Sequence, residues 1–358
     1  MSFYPPVPEF SKKQINVYGS QLVESLGKDQ ECLDAINLWR ASHAYPLNTF
    51  SCTLRNKIRI LEMKGAFAAQ RLKRLPTILQ KLSRFEKMQL SRMQDIAGLR
   101  AVLKNKAQLN KIYSYYQEEN KLTHKLIKIH DYIKSPKPDG YRSIHLIFQY
   151  KSKIKNKEKA AEYNGLNIEL QLRTQLQHLW ATAVETSGIL LDHGFKFGRG
   201  DEKWRDFFAL ISSAFAHIEG SPPVEAYNKL SKEETYQEIA QSEKKYKFLE
   251  KLQGVSFAIQ LPGTLKKKHY QLITLNITHK TVEIKSYSEE QSAEAIEEYA
   301  RLEKYASEGT GDKIEPVLVS VGSLEAIQKA YPNYFLDIRL FIEKVQKIIK
   351  EAQAIKKK

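Results

Sequence analysis

The sequence predicts an α+β protein, with a mixed, mostly antiparallel sheet flanked by helices and a small α+β domain after it. Three observations predict this. Helical periodicity fills roughly the first ninety residues. Strand-like alternation then dominates from 97 to 173, broken by one helical stretch, before helices return. Beyond residue 253, short strands come back around a single amphipathic helix.

From about 13 to 93 apolar residues recur at three and four, as in "ECLDAINLWRASHAY" and "NKIRILEMKGAFAAQRLKRL", so the whole stretch reads as helix. Pro76 interrupts it and suits the first position of a new helix. "DIAGLRAVLK" reads as a strand, 106–118 as a helix and 124–133 as a strand. Asp139-Gly140 supplies turn chemistry, and strands follow at 142–150 and 165–173. "TQLQHLWATAVETSGILL" and "DEKWRDFFALISSAFAHIEG" return to helical period, the second stopped by Gly220 and Ser-Pro-Pro. This closes a first domain over 1–222. Residues 223–250 form a polar linker helix, and 251–358 a second domain. In it "GVSFAIQL", "HYQLITLNI", "TVEIKSYS" and "EPVLVSV" are strands, with a helix at 289–306 and a last helix showing Ile338, Phe341, Val345 and Ile348 on one face.

Composition narrows the function classes. Among 358 residues there are only two cysteines, Cys32 and Cys52, so a disulfide framework is excluded, as is any thiolate zinc site after Cys52, and the chain fits the reducing cytosol. Neither a secretory leader nor an apolar run of eighteen residues is present, so no membrane partner is expected. A net charge of +16 favours a polyanionic partner, RNA or phosphorylated nucleotides, over solubility alone.

Four segments carry candidate chemistry. Lys73, Thr77, Lys81 and Arg84, preceded by Arg71, repeat at four and three, the spacing of one helix face; such a row can hold a triphosphate or merely face water. Asp95 stands where an apolar strand begins and offers a hard oxygen to magnesium, or else is a turn residue. Lys134 and Lys137 precede the turn, and Tyr141 and His145 share one strand face, which gives a flat aromatic above a basic rim, a platform for a base. In "LNIELQLRT", Asn167, Glu169, Gln171 and Arg173 share one face opposite Ile168, Leu170 and Leu172: either a site floor or a solvated sheet face.

"RLKRLPTILQK", "DIAGLR", "YIKSPKPDGYRSIH" and "IELQLRTQLQHLWA" together resemble the ordered motifs of the RelA/SpoT-type synthetase superfamily, whose fold is nucleotidyltransferase-like. The resemblance covers about 40–220 and implies pyrophosphate transfer from ATP, with Mg2+, to a ribose 3′-hydroxyl. It implies that Arg71, Lys73, Thr77, Lys81 and Arg84 bind ATP, and that Asp95 holds the metal. Glu169 would act on the attacking hydroxyl and complete the metal site. Tyr141 would stack on the acceptor in a pocket lined by Lys134, His145, Gln171 and Arg173. Thr77 departs from the family's usual Ser and keeps the hydroxyl.

The superfamily divides between enzymes that make (p)ppGpp from GDP or GTP and toxins that modify the tRNA CCA end. "RASHAYPLNTFSCTLR" resembles the toxic small alarmone synthetase branch, and no hydrolase motif precedes these segments. Lys151, Lys153, Lys155 and Lys157 at alternate positions suit a tRNA backbone or a solvated hairpin tip. From about 240 onward the chain resembles the antitoxin-like pseudo-zinc-finger region of CapRel-type fused toxin–antitoxin proteins, here without zinc. That resemblance implies that Tyr331 and Tyr334 block the ATP site until a phage protein, typically the major capsid protein, opens it. The expectation is an autoinhibited toxin that blocks translation in anti-phage defence, with (p)ppGpp synthesis as the alternative.

Overall fold

The computed structural model describes residues 7–118, 123–152, 158–190, 202–255, 270–279, 281–288, 290–308, 311–319 and 338–355. Helices α1 (Lys12–Glu24), α2 (Gln30–Ser42) and α3 (Ala44–Ile60) lead into strand β1 (Phe67–Leu72). Then come α4 (Leu75–Arg84), β2 (Ala97–Leu103), α5 (Lys106–Gln117), β3 (Lys125–Asp131), β4 (Ile144–Gln149), the short α6 (Glu158–Ala161) and β5 (Asn167–Thr174). The five strands make one sheet in the order β1-β2-β5-β4-β3, in which β2 and β5 run parallel and the other neighbours antiparallel. The α+β class and the mixed, mostly antiparallel sheet are as the sequence predicts.

Strand β1 corrects the reading of 13–93 as all helix. Its "FAAQRL" is Ala-rich and helix-favouring by propensity, yet Phe67 to Leu72 pair with Val102 to Ala97 on β2, and pairing overrides propensity. One consequence concerns Lys73, which lies in the β1–α4 connection and not on a helix face with Thr77, Lys81 and Arg84. Pro76 does sit in the first turn of α4, as expected.

One sheet face is apolar. Leu99, Ala101, Ile168, Leu170 and Leu172 join Ile36, Phe50, Ile112 and Phe148 in a single core. The opposite face is polar and is roofed at one end by α7 (Gln175–Leu190) and α8 (Glu202–Glu219). Helix α9 (Lys232–Tyr246) and α10 (Phe248–Val255) follow, parted at Lys247, whose φ is +58°.

Residues 223–250, expected to be a linker, are packed. Tyr236 and Ile239 of α9 belong to the same buried cluster as Phe207, Phe208 and Phe215 of α8. The final helix α12 (Arg339–Ile355) joins that cluster through Phe341, Val345 and Ile348. Although it lies in the expected 251–358 domain, its apolar face closes the helical layer over the first sheet. What remains as a separate layer is a three-stranded sheet of order β7-β6-β8, made of β6 (Tyr270–Asn276), β7 (Thr281–Tyr287) and β8 (Ile314–Val319), with α11 (Ser292–Glu308) against it. Gly254 and Val255 of the expected strand "GVSFAIQL" end α10, and its remainder lies outside the described residues.

Candidate active site

Register alone places the polar face. Across β1, β2, β5 and β4 the chain aligns Arg71, Gly98, Glu169 and Ile147 in one row, and Ala69, Arg100, Gln171 and His145 in the next. Gly98 leaves the floor open between Arg71 and Glu169, because nothing projects from it. A cleft of about 150 Å³ forms there, lined among others by Arg71, Lys73, Asp95, Arg100, Glu169 and Gln171. It adjoins a larger space of about 290 Å³ that shares Arg71, Lys73, Arg100 and Gln171 and adds Thr77, Lys137, Tyr141, Arg173 and Arg205.

Around Asp95, Lys73 Nζ lies 2.8 Å from Oδ2 and Lys81 Nζ 3.1 Å from Oδ1. Burial alone would raise the Asp95 carboxyl, but the two ammonium groups and their hydrogen bonds hold it below its ordinary value. Burial pushes Lys73 down, against the pull of Asp95. The result is a carboxylate between two cations, beside a helix whose first turn carries Thr77.

Around Tyr141 and Glu169 a row of hydrogen bonds links five side chains. Arg173 Nη2 donates to Tyr141 Oη at 2.6 Å and to Gln171 Oε1 at 3.0 Å. Tyr141 Oη lies 2.7 Å from His145 Nε2, and His145 Nδ1 lies 2.8 Å from Glu169 Oε1. Gln171 Nε2 donates to Glu169 Oε2 at 2.7 Å. Arg173 can only donate and an ionised Glu169 can only accept, so the row has a donor at one end and an acceptor at the other, with His145 Nδ1 donating to Glu169. Burial would raise Glu169, yet His145 and Gln171 keep its carboxyl below the usual range despite the Asp95 charge.

Tyr141 precedes the strand, which begins at Ile144, and still meets His145. Gly140 fixes it there. Its φ is +94°, and a Cβ would meet Ser212 at 2.8 Å and Trp180 and the Ala209 backbone at 3.0 Å. Ser212 Oγ donates to the Gly140 carbonyl at 2.6 Å and accepts from Arg142 Nε at 2.9 Å. Thus α8 presses the turn into place, and α12 in turn backs α8, with Phe341 5.9 Å from Phe208 and 6.2 Å from Phe215. Lys137 and Arg173 stand 5.1 and 5.0 Å from the Tyr141 ring.

The expected residues Arg71, Lys73, Thr77, Lys81, Asp95, Tyr141, His145, Glu169, Gln171 and Arg173 therefore meet around one cleft. Two do not. Lys134 is 81% exposed and turned to Asp131 at 4.0 Å, because it follows β3 on the outer side of the turn. Arg84 is exposed at the last turn of α4, over the Phe85 ring. Lys151 is exposed, and Lys153, Lys155, Lys157, Tyr331 and Tyr334 lie outside the described residues. Arg100 and Arg205 join the cleft without having been assigned to it, and Lys137, expected on the basic rim before the turn, joins it where Lys134 does not. Period-two alternation from Gly98 signals Arg100, whereas Arg205 comes from a distant helix whose approach no local pattern shows.

Among the described residues no three His, Cys, Asp or Glu side chains gather as a metal cluster. Asp95 and Glu169 nevertheless fit a magnesium ion that takes its other ligands from phosphate and water. Each of their oxygens carries one protein partner, and a carboxylate oxygen has a second lone pair.

Comparison with known proteins finds similarity over the segment that forms this cleft. The family described as "Region found in RelA / SpoT proteins" matches residues 70–189. The GTP pyrophosphokinase YwaC of Bacillus subtilis (strain 168) is 31% identical over 117 residues, 31% of this chain and 52% of that protein. GTP pyrophosphokinase YjbM of the same organism is 30% identical over 118 residues, 32% of this chain and 53% of that protein. The chain spans about half the length of these curated relatives. Similar solved structures include the small alarmone synthetase 1 from Bacillus subtilis bound to its product pppGpp, 22% identical, covering 50% of this chain and 90% of that one with a TM-score of 0.42. The small alarmone synthetase 2 from the same organism is 20% identical, with 49% and 89% covered and a TM-score of 0.40. The segment that contains Arg71, Asp95, Tyr141, His145 and Glu169 is thus the one that matches the RelA/SpoT region, and it is similar to part of two GTP pyrophosphokinases.

Proposed function

We propose that this chain transfers the β,γ-pyrophosphoryl group of ATP to a ribose 3′-hydroxyl. The observation that carries the reading is a single cleft holding two ionised carboxylates, one set among cations and the other at the end of a hydrogen-bonded chain. Arg71, Arg100, Lys73 and Lys81 neutralise the triphosphate, and Thr77 adds a hydroxyl at the start of α4. Tyr141, flanked by Lys137 and Arg173, receives the acceptor base. Glu169 accepts the hydrogen bond of the 3′-hydroxyl and then its proton as the new O–P bond forms, and AMP leaves with the bridging oxygen. Phosphoryl chemistry of this kind rests on positioning and charge neutralisation more than on a strong base. Mg2+ held by Asp95 and Glu169 would supply further neutralisation of the transferring group.

Two acceptors are supported by different observations. The charge of +16 and the exposed Lys151 beside the Lys153, Lys155 and Lys157 run favour the tRNA CCA end, which makes the chain a translation-blocking toxin. The relatives' names favour GDP or GTP and hence (p)ppGpp synthesis. The test offers full-length protein γ-labelled ATP, Mg2+ and, in separate reactions, deacylated tRNA, GDP and GTP. Label on tRNA supports the toxin, label on guanine nucleotide supports the synthetase, and no transfer to any acceptor overturns the reading.

The regulatory part of the proposal is a block of the ATP site by Tyr331 and Tyr334, relieved by a phage protein of the capsid class in anti-phage defence. Removing the C-terminal region is a poor test, since α12 belongs to the core that supports Tyr141. The double variant Tyr331→Ala/Tyr334→Ala should instead raise transfer by the full-length chain without any phage protein; an unchanged rate sinks the block.

A further inference from the structure

The small C-terminal sheet unit touches the first domain at the β1–α4 corner, the stretch that carries Arg71, Lys73 and Thr77. The contact is chemically specific. Glu303 of α11 and Arg40 of α2 form a 2.8 Å ion pair, with side chains 1% and 4% exposed. Tyr299 Oη donates to Glu303 Oε1 at 2.8 Å. The same carboxylate oxygen accepts the backbone N–H of Leu75 at 2.9 Å. Arg40 Nε in turn donates to the carbonyl of Lys73 at 3.0 Å.

Leu75 opens α4, and the first turn of a helix leaves its N–H groups without intrahelical partners. The residue at the cap position is Arg74, whose side chain makes no capping bond. Pro76 has no N–H to satisfy. Leu75 is therefore one of the donors that need an acceptor at this end, and it finds one on another unit, as an anion set on the positive end of the helix. Glu303 and Arg40 together grip the main chain on both sides of Arg74, at the Lys73 carbonyl and the Leu75 amide. The side chains of Lys73 and, two turns on, Lys81 hold Asp95.

We propose that Glu303 is a positioning residue for the nucleotide site: the docked small unit caps α4 and braces Arg40, and so sets Lys73, Thr77 and Lys81 for the triphosphate. The inference rests on the reading of this corner as the ATP phosphate holder. It assigns the small unit a supporting role at the donor site, separate from any block by Tyr331 and Tyr334.

The test measures binding of a methylene analogue of ATP, with Mg2+, to the full-length protein by calorimetry, alongside the thermal midpoint. Glu303→Gln and Glu303→Ala should weaken analogue binding at least tenfold and leave acceptor binding at Tyr141 unchanged. Glu315→Gln serves as the control, since it weakens the Arg74–Glu315 pair at 2.7 Å in the same interface and leaves the Glu303–Leu75 bond in place, and its affinity should stay at the parent value. If Glu303→Ala fails to fold, the isosteric Glu303→Gln and Tyr299→Phe, which removes one bond to the carboxylate, carry the measurement. Parent-like or tighter binding in the Glu303 variants, whatever happens to the midpoint, overturns the inference and leaves the reading of the corner intact. Equal weakening by Glu315→Gln also overturns it, because the effect would then be docking alone. A parent protein that does not bind the analogue overturns both the inference and the reading beneath it.

Discussion

Asp95 and Glu169 face one cleft, and both carboxyls are held below their ordinary values, but by different chemistry. Asp95 is set between the ammonium groups of Lys73 and Lys81. Glu169 is set between an imidazole and an amide, and the imidazole is tied through Tyr141 to Arg173. The first arrangement gathers cations around its carboxylate, whereas the second ties its carboxylate into a row of hydrogen-bonding groups. In the proposed reaction the donor phosphates take the first half of the cleft and the attacking hydroxyl the second.

The largest expected effect comes from removing the acceptor-side charge. Glu169→Gln keeps the shape and costs the group that receives the proton, so transfer should fall by about 10²–10⁴-fold. Binding of an ATP analogue measured without Mg2+ should stay near the parent value, because the cations around Asp95 are untouched. Parent-like transfer by this variant would break the comparison outright.

On the donor side, Asp95→Asn should cut transfer by about 10²–10³-fold, the cost typical of losing one preorganised electrostatic group. Here analogue binding should change as well, since Lys73 and Lys81 lose their shared counter-charge. A binding profile identical to that of Glu169→Gln would mean that the two halves do not divide the work.

The division was partly written in the sequence. The floor was legible because period two is unambiguous in "LNIELQLRT", and the turn at Asp139-Gly140 marks where Tyr141 must stand. The donor corner was not, because "GAFAAQRL" has the composition of a helix and becomes strand only by pairing with β2. Lys73 was thereby given the wrong element but the right neighbours, since Asp95 draws it in from a loop. Lys134 was misplaced for the opposite reason: proximity in sequence to Tyr141 says nothing about which side of a turn a side chain leaves from. The helical supports were hidden too. Nothing local in "IRLFIEKVQKIIK" shows that its apolar stripe belongs against α8 and not with the small sheet.

Acid should act on both carboxylates together. Each binds a proton more weakly in the fold than in the unfolded chain, so each contributes stability that is fully present above the unfolded value, about 4 for Asp and Glu, and is lost as pH falls through the lower folded value. The thermal midpoint attributable to the cleft should stay level from neutral pH to about 5 and decline below it. In Glu169→Gln the decline should be shallower. A cleft-dependent loss between pH 7 and 6 would show that the carboxyls are not held low.

Tyr141 separates stacking from hydrogen bonding, and its two variants carry the smaller effects. Tyr141→Ala removes the ring that Lys137 and Arg173 flank, and should weaken acceptor use by the roughly 1–3 kcal/mol of one stacked base. Tyr141→Phe keeps the ring and removes only the hydroxyl between Arg173 and His145. A net hydrogen bond contributes about 0.5–1.5 kcal/mol, so transfer should fall only about two- to tenfold, with acceptor KM little changed. The comparison of the two variants is the sharper readout. A loss in Tyr141→Phe as large as that in Tyr141→Ala would show that the hydroxyl bridging Arg173 and His145, and not the ring, carries the acceptor.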